Sequence, residues 1–477
     1  MNRLLVSAAH KSSGKTTICI GLCAALRARG EVVQPFKKGP DYIDPMWLGL
    51  AAGRPCYNLD PYLSHEDEIR TEFGHRMAGA TLGLVEGNKG LYDGLDLKGS
   101  NSNAALAVLL GTPVILVLDT RGMTRGIAPL ILGYQAFDRN VRIAGVILNR
   151  LGGSRHEAKL RAVIEHYTDV PVLGAVQHDE RLTIVERHLG LVPSNEAPAS
   201  RACVDEIAAL VAAQVDLDRL LDVARAAPAL AATTAGNVPV RSRGTNVRVG
   251  IVRDAAFGFY YPGDLEALRA AGAELVAVDA LRDRQLPAID GLFIGGGFPE
   301  SHLEALAANT ALRAEVRAAI EAGMPVYAEC GGLMYLARGI ERDGRHAEMV
   351  GAIPADVVMH ERPVGRGYVN LRETGQGLWP APPASEAALI RAHEFHYSSV
   401  ENLAPGTRFA YAVERGYGID GRHDGIVRKN MLASFTHLRD VAGNRWAGRF
   451  VEFIRRCRWR PAMAMHTPDS PEPEKCC

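Results

Sequence analysis

The chain has 477 residues, of which 47% are hydrophobic and 23% are charged, so it has enough apolar material for two or three globular domains. Lys plus Arg and Asp plus Glu both number 54, a balance that excludes a global field favouring nucleic acid or an anionic membrane. The longest apolar runs are interrupted by Gly and Pro and are too short to span a bilayer. The balance of charges favours a small-molecule site, and eight scattered cysteines and a start without a signal pattern predict a cytoplasmic protein with reduced thiols.

The first half of the chain alternates short apolar runs with segments of helix length. The runs are RLLVSA 3–8, VVQPF 32–36, TLGLVEG 81–87, PVILVLD 113–119, RIAGVILN 142–149 and PVLGAV 171–176. Runs that are apolar throughout are typical of parallel strands covered by helices on both faces. We therefore predict an α/β domain with a parallel sheet over residues 1–225.

A loss of periodicity separates this unit from a second one. Residues 226–246 are rich in small residues and contain proline, as linkers do, and residues 247–458 open with a new strand, VRVGIVRD. After about residue 348, closely spaced runs such as YVNLRE, RFAYAVE and MLASFTHL predict antiparallel strands appended to the second sheet. Residues 459–477 are polar and proline-rich, and we predict a disordered tail.

The segment between the first strand and the first helix reads AHKSSGKTT. Gly-Lys-Thr between a strand and a helix predicts a phosphate-binding loop, although Ala9 stands where the usual pattern has Gly. Lys15 would contact the terminal phosphates and the Thr16 hydroxyl would ligate Mg²⁺, whereas the alternative interpretation is a simple helix cap. Asn149 ends a later strand and would either hydrogen-bond adenine or form a turn. The candidate ATP-binding residues are Ser13, Gly14, Lys15, Thr16, Thr17 and Asn149.

Acidic residues follow later strands of the same unit. Glu86 ends an apolar run, and the segment KKGPDYIDP carries Asp44 beside the second strand. The carboxyl ends of parallel strands meet at one edge of a sheet, so we predict that Asp44, Glu86 and Thr16 hold Mg²⁺ from different strand ends. Taken singly, each acid is more often a helix cap or a solvated loop charge. Candidate substrate contacts in the same segment are Lys37, Asp41 and Tyr42.

In the second unit, VYAECGGLMYLA places Cys330 between an apolar run and a helical stretch. Such a cysteine is either a small buried residue or a nucleophile at a strand-to-helix turn. Gly296 and Gly297 follow an earlier strand and could present N–H groups to an oxyanion, and His437 comes at the end of a later one. The combination favours a thiolate nucleophile with His437 as its base.

Together these motifs resemble a known family. AECGGLMYL, GGGFPE and the late His are similar to the glutamine amidotransferase domain fused to cobyric and cobyrinic acid amidating enzymes, and FKKGPDYIDP, LVEGNKGLYDG, ERHLGLVPSNE and HEFHYS resemble the cobyrinate a,c-diamide synthase branch. The resemblance covers about residues 1–455. It implies an α/β fold, with an N-terminal P-loop parallel-sheet domain of the dethiobiotin-synthetase kind and a C-terminal class I glutamine amidotransferase-like domain.

The resemblance also implies roles for individual residues. Cys330 would be the glutaminase nucleophile and His437 its base. Arg439 stands where many glutaminases of this class have Glu, so the third member of the triad is not assigned. The nucleotide and Mg²⁺ roles would fall to Lys15, Thr16, Asp44 and Glu86. Three polar residues stand where the family more often has apolar ones: Lys38, Asn88 and Lys89.

The function implied is ATP- and glutamine-dependent amidation of the a- and c-acetate carboxylates of a cobyrinic-acid-type tetrapyrrole, through acyl phosphates formed beside Lys37, Asp41 and Tyr42. Sirohaem-like or nickel-containing sirohydrochlorin macrocycles are alternative substrates. Alternatives of another class are a P-loop switch ATPase, whose signature lysine is here His10, and a binding module without activity. The expected partners are the tetrapyrrole polycarboxylate and L-glutamine, with ATP and Mg²⁺ as cofactors and a homodimer as a candidate assembly.

Overall fold

The computed structural model describes residues 1–179, 181, 184, 186–187, 190–196, 199–230, 246–380 and 389–457. The chain forms two α/β units, one after the other. The N-terminal unit contains β1 (Arg3–Ala8), α1 (Lys15–Ala28), β2 (Val33–Lys38), α2 (Ile43–Ala52), β3 (Tyr57–Leu59), α3 (Glu66–Arg76), β4 (Leu82–Glu86), α4 (Asn103–Leu110), β5 (Val114–Asp119), α5 (Ile127–Phe137), β6 (Ile143–Leu151), α6 (Ser154–Tyr167), β7 (Val172–Gln177), β8 (Glu186–Arg187), β9 (Gly190–Leu191), α7 (Ser200–Gln214) and α8 (Leu217–Arg225).

A seven-stranded parallel sheet organises this unit, in the order β3-β2-β4-β1-β5-β6-β7. Every residue of β1, β2 and β4 is buried, because helices cover both faces of the sheet. Helices α1, α2, α7 and α8 pack on one face, and α3 to α6 pack on the other. The carboxyl ends of β1, β2 and β4 therefore meet side by side, which places three functional segments at one edge.

The predicted strands correspond to β1, β2, β4, β5, β6 and β7, and the prediction of a parallel sheet is confirmed. The predicted strands do not include β3, which has only three residues and lies at the edge of the sheet beside β2. A run this short carries too little periodicity to stand out from a loop.

The C-terminal unit begins with a strand at Val247. It contains β10 (Val247–Val252), β11 (Phe257–Phe259), α9 (Pro262–Ala270), β12 (Ala273–Val278), β13 (Gly291–Ile294), β14 (Gly296–Gly297), a 3-10 helix (Pro299–Ser301), α10 (Leu303–Ala308), α11 (Thr310–Glu321), β15 (Val326–Glu329), α12 (Gly331–Leu336), β16 (Gly339–Arg342), β17 (Arg345–Glu348), β18 (Asp356–Met359), β19 (Gly365–Glu373), β20 (Ile390–His396), β21 (Ser398–Glu401), β22 (Arg408–Arg415), β23 (His423–Arg428), β24 (Met431–Ser434) and α13 (Trp446–Cys457).

A nine-stranded mixed sheet runs in the order β12-β10-β13-β15-β24-β23-β22-β19-β20. The strands from β12 to β24 are parallel, and those from β24 to β20 are antiparallel, as the late runs predicted. One late run differs from the prediction, because β24 pairs parallel with β15 as well as antiparallel with β23. This parallel pairing brings the end of β24 beside the end of β15, where Cys330 follows.

The proposed linker falls between α8, which ends at Arg225, and β10. Its first residues still contact the N-terminal unit, since the Arg3 guanidinium donates to the Pro228 carbonyl at 2.7 Å. Residues 231–245 and the predicted tail at 459–477 lie outside the described residues. The domain boundaries therefore stay predictions. Within the ranges that the structure describes, no helix combines the length and apolar character that a membrane crossing requires.

The two units pack against each other through polar and aromatic side chains. The Tyr57 hydroxyl donates to Glu266 Oε1 at 2.6 Å, which joins β3 to α9. The Tyr62 and Tyr368 rings stack with centroids 4.2 Å apart, and the Tyr368 hydroxyl lies 3.0 Å from both carboxylate oxygens of Asp60. These contacts place β3 and the loop after it directly against the C-terminal unit.

Candidate active site

The loop between β1 and α1 has the geometry of a phosphate-binding loop. Gly14 precedes the helix with φ 86°, a left-handed conformation that favours glycine. A Cβ atom added to Gly14 would lie 2.2 Å from Asn149 Nδ2, and that amide nitrogen donates to the Ser13 carbonyl at 2.9 Å. Asn149, at the end of β6, therefore supports the loop from the neighbouring strand.

A cleft of about 420 Å³ opens beside this loop. The predicted residues that line it are Gly14, Lys15, Thr16, Thr17, Asp41, Asp44 and Asn149. Sequence reasoning missed several polar residues that also line it: Arg121, Arg150, Gln177, His178 and Asp179. Ser13 is buried beneath the loop, where its hydroxyl donates to the His10 carbonyl at 2.9 Å. The cleft combines backbone amides, a lysine and arginines, as a polyphosphate ligand requires.

The buried side chains of Lys37 and Glu86 form a cluster with Asp44 and Thr16, and the last two line this cleft. The Thr16 hydroxyl lies 2.6 Å from Glu86 Oε1 and 3.2 Å from Asp44 Oδ2. Lys37 Nζ lies 2.5 Å from Asp44 Oδ2 and 3.0 Å from Glu86 Oε1. Burial acts to lower the pKa of Lys37, but the two carboxylates outweigh it and hold that pKa well above its ordinary value.

The expectation that Asp44 ends a strand is wrong. Asp44 lies in the first turn of α2, and its backbone amide donates to Asp41 Oδ1 at 3.1 Å, so Asp41 caps the start of that helix. Glu86 does end β4, as predicted. Burial, with repulsion from Asp44, raises the pKa of Asp41 to about 7.

The cluster also has the donors that Mg²⁺ prefers. Glu86 Oε2 is buried and has no hydrogen-bond partner among the described residues, although its neighbour Oε1 contacts Thr16 and Lys37. In the described parts of the chain, no three His, Cys, Asp or Glu side chains gather as a metal site. Two carboxylates and a hydroxyl beside bound phosphates nevertheless suit Mg²⁺, which takes few protein ligands and completes its shell with phosphate and water.

Cys330 occupies a sharp turn between β15 and α12. Its φ of 48° and ψ of −104° are a strained conformation for a residue with a side chain, as is common at reactive centres. The turn packs closely on β14, because a Cβ added to Gly331 would lie 3.0 Å from the Gly297 nitrogen. A Cβ added to Gly296 would lie 2.6 Å from His437 Cε1. The structure therefore brings together all four predicted residues of this site.

Glu329 is the residue that sequence reasoning missed here. Its Oε2 lies 3.3 Å from His437 Nδ1, and its Oε1 accepts from the Leu438 amide at 2.9 Å and from the Tyr327 hydroxyl at 2.5 Å. Burial acts to lower the pKa of His437, but hydrogen bonds to Cys330 and Glu329 raise it to about 10. The one signal in the sequence was a charged residue that ends an otherwise apolar strand.

Arg439, at the position where many such glutaminases have Glu, has a different role. Its guanidinium donates to the Asn58 carbonyl and lies 5.1 Å from the centroid of the Tyr261 ring. It therefore contacts the N-terminal unit at β3 and does not orient His437. The carboxylate that contacts His437 comes instead from the residue before the cysteine.

Tyr42 connects the two sites. Its ring centroid lies 5.1 Å from that of His437 and 5.3 Å from that of Phe259, both in the C-terminal unit. Its chain neighbours Asp41 and Ile43 line the cleft beside the phosphate-binding loop. The segment between β2 and α2 thus has the phosphate cleft on one side and the Cys330 site on the other.

Comparisons with known proteins agree with this arrangement. Residues 5–192 match the family model of the CobQ/CobB/MinD/ParA nucleotide binding domain, and residues 248–443 match that of the CobB/CobQ-like glutamine amidotransferase domain. The chain is 47% identical over 458 residues to the cobyrinate a,c-diamide synthase of Magnetococcus marinus, covering 95% of this chain and 97% of that protein. The chain belongs to the cobyrinate a,c-diamide synthase family. The proteins of that name from Methanosarcina acetivorans and Archaeoglobus fulgidus are each 40% identical to this chain, and each match covers 94% of it. The matches cover 95% of the Methanosarcina protein and 97% of the Archaeoglobus protein.

Membership of this family confirms the predicted enzyme class, a ligase with a nucleotide-binding domain and a glutamine amidotransferase domain. The matched ranges correspond to the two α/β units of the fold. The individual site residues stay predictions, and the geometry above gives the reasons to test them.

Replacing Glu329 with Gln should slow glutamine hydrolysis by about a hundredfold, because the imidazole loses its oriented acceptor. The change also removes one of the interactions that raise the pKa of His437, so the alkaline limb of the pH profile should move to lower pH. The measurement is kcat/KM for glutamine hydrolysis between pH 6 and 11. Glu274→Gln, at an exposed position on β12, is the matched control. An unchanged rate and pH profile would show that Glu329 does not act through His437.

Proposed function

We propose that the chain catalyses ATP- and glutamine-dependent amidation of the a- and c-acetate carboxylates of a cobyrinic-acid-type tetrapyrrole. The observation that carries this proposal is the placement of Tyr42, which contacts His437 while its neighbour Asp41 lines the phosphate cleft. A glutaminase and a phosphate site on two sides of one segment suit a reaction that makes ammonia and consumes it nearby. The names of the relatives support the choice of substrate.

On the ATP side, the difficulty is that a carboxylate is a poor electrophile. A carboxylate oxygen of the substrate attacks the terminal phosphorus of ATP, ADP leaves, and an acyl phosphate forms. Lys15, which lines the cleft, would neutralise charge on the transferring phosphoryl group, and Lys37 forms ion pairs with Asp44 and Glu86. Thr16, Asp44 and Glu86 would hold Mg²⁺, which supplies further positive charge to the phosphates when bound.

On the glutamine side, His437 accepts the proton of Cys330 and the thiolate attacks the amide carbon of glutamine. The N–H groups of Gly296 and Gly297 are the candidate donors to the oxyanion. The proton then passes from His437 to the leaving nitrogen, which departs as ammonia, and water hydrolyses the thioester to glutamate. Ammonia attacks the acyl carbon of the acyl phosphate, and inorganic phosphate leaves.

The alternatives predict different behaviour. A P-loop switch ATPase would explain the first unit, but it gives no reason for a cysteine, a histidine and a buried glutamate to meet in the second. Sirohaem-like or nickel-containing sirohydrochlorin acids would undergo the same chemistry as cobyrinic acid. Incubation with ATP, glutamine and each acid, followed by mass measurement of the products, distinguishes these substrates.

Cys330→Ser and Lys15→Ala should differ in which nitrogen donors still support amidation. The Cys330 variant should lose glutamine-driven amidation and keep amidation driven by free ammonium, because only the first reaction needs a thiolate. The Lys15 variant should lose both, since carboxylate activation precedes either attack. Product formation is measured with each donor in turn. Normal rates of the Lys15 variant with ammonium, or glutaminase activity in the Cys330 variant, would contradict these roles.

Asp44→Asn and Glu86→Gln keep the shape of each side chain and remove its charge. If both acids hold Mg²⁺ against the ATP phosphates, turnover with ammonium should fall by about a hundredfold or more in each variant. Excess Mg²⁺ should partly restore the variant of the weaker ligand. Turnover is measured against Mg²⁺ concentration, and Asp67→Asn, at the exposed start of α3, is the control. Wild-type rates with wild-type Mg²⁺ dependence in both variants would show that the acids only cap loops.

A further inference from the structure

Two exposed arginines lie over one aromatic ring at the contact between the two units. The Arg391 guanidinium carbon is 5.5 Å from the centroid of the Tyr62 ring, and that of Arg415 is 5.7 Å from the same centroid. Arg391 belongs to β20 and Arg415 ends β22, and both side chains are exposed. Tyr62 belongs to the N-terminal unit, so the pair of arginines lies where the two units meet. We call Tyr62, Arg391 and Arg415 the arginine pair site.

The charges of this pair are not neutralised within the described parts of the chain. Neither guanidinium forms an ion pair with a described carboxylate, and the one hydrogen bond of Arg391 goes to the Tyr62 carbonyl at 3.2 Å. Other arginines close by are paired: Arg372 lies 2.6 Å from Glu414, and Arg449 lies 2.6 Å from Glu373. Two adjacent unpaired guanidinium groups repel each other and suit an anionic ligand with more than one carboxylate.

A row of contacts leads from this pair to the phosphate cleft. The Tyr62 ring stacks on the Tyr368 ring at 4.2 Å. A Cβ added to Gly39 would lie 3.7 Å from the Tyr368 hydroxyl and 3.5 Å from Asn88 Nδ2. Gly39 directly follows Lys37 and Lys38, the last residues of β2. Lys37 forms ion pairs with Asp44 and Glu86. The arginines therefore lie on the same side of the molecule as the reacting centre, at some distance from it.

We propose that the arginine pair site binds peripheral carboxylates of the tetrapyrrole that are not being amidated, while another carboxylate enters the phosphate cleft past Gly39, Asn88 and Tyr368. This inference rests on the proposed function, because the ligand is a macrocycle with several acidic side chains around its rim. Guanidinium groups bind carboxylates in bidentate geometry, and the Tyr62 ring holds both groups in place. The site would therefore fix which acetate reaches the reacting centre.

The arginine pair site lies on the C-terminal unit, where the rest of a macrocycle bound at the phosphate cleft would lie. A macrocycle with one acetate in the phosphate cleft has its other carboxylates outside the cleft, because they are spread around its rim. Strands β19, β20 and β22 present the neighbouring surface. Arg391 and Arg415 are on the same face of those strands as Tyr368, since Asn370 pairs with both Arg391 and Arg415 and lies two residues from Tyr368.

The test is the double variant Arg391→Gln, Arg415→Gln, assayed with cobyrinic acid, ATP and ammonium. We expect the KM for cobyrinic acid to rise by about a hundredfold, about tenfold for each lost charged contact, with little change in the KM for ATP. Direct titration of the corrinoid absorbance should show the same loss of affinity. Raising the salt concentration should weaken binding to the wild type more than to the variant. Cobyrinic heptamethyl ester, which has no carboxylates, should not distinguish the two proteins.

Arg284→Gln is the matched control, because Arg284 is exposed in the loop after β12, the strand at the opposite edge of the same sheet. If the wild type binds and amidates cobyrinic acid and the double variant does so with the same KM and affinity, the inference is wrong and the proposed function stands. If the wild type prefers a sirohydrochlorin acid, the same comparison is made with that acid. If the wild type neither binds nor amidates any of these acids, the proposed function fails and the inference fails with it.

Discussion

The packing of Tyr42 against His437 is the contact on which the proposed coupling of the two sites depends. The segment that carries Tyr42 connects β2 to α2. At its start, Lys37 of β2 forms ion pairs with Asp44 and Glu86. At its end, the Asp41 carboxylate accepts from the Asp44 amide in the first turn of α2. Both ends are therefore fixed by charges in the phosphate cleft. The ring in the middle reaches into the other unit and lies among aromatic and imidazole side chains there. The residues on either side of Tyr42 therefore belong to the phosphate cleft, while its ring contacts that of His437.

This arrangement suits the chemistry of ammonia. Ammonia is mostly protonated in water at neutral pH, and an acyl phosphate hydrolyses there, so both species need to meet without leaving the protein. His393 stacks on His437 at 4.9 Å, and burial, together with the neighbouring His437, holds the pKa of His393 well below its ordinary value, so that it stays neutral. The neutral His393 imidazole and the aromatic rings beside the proposed site of ammonia release therefore add no proton donor to the one that His437 supplies.

Much of the fold could be predicted from the sequence, because strands buried on both faces leave uninterrupted apolar runs and the phosphate-binding loop has a fixed local pattern. The meeting of Cys330, His437, Gly296 and Gly297 was also predictable, since each residue ends or follows a strand. Glu329 was missed because its contact with His437 joins residues 108 positions apart, through the parallel pairing of β15 and β24 that the sequence did not indicate. Asp44 was placed at a strand end because the start of α2 follows β2 so closely. The arginine pair site depends on the contact between two units, which no single segment encodes.

The central claim is that ammonia passes internally from Cys330 to the acyl phosphate along the segment that carries Tyr42. The most direct measurement supplies glutamine with a heavy-nitrogen amide together with a large excess of unlabelled ammonium, and determines by mass spectrometry the share of heavy nitrogen in the amidated product. The account predicts that the wild-type product carries almost only heavy nitrogen. It also predicts that Tyr42→Ala, which removes the ring packed against His437 and so exposes the path to solvent ammonium, yields a product diluted with unlabelled nitrogen. A wild-type product in which the label is diluted to the level of the free ammonium would contradict the account.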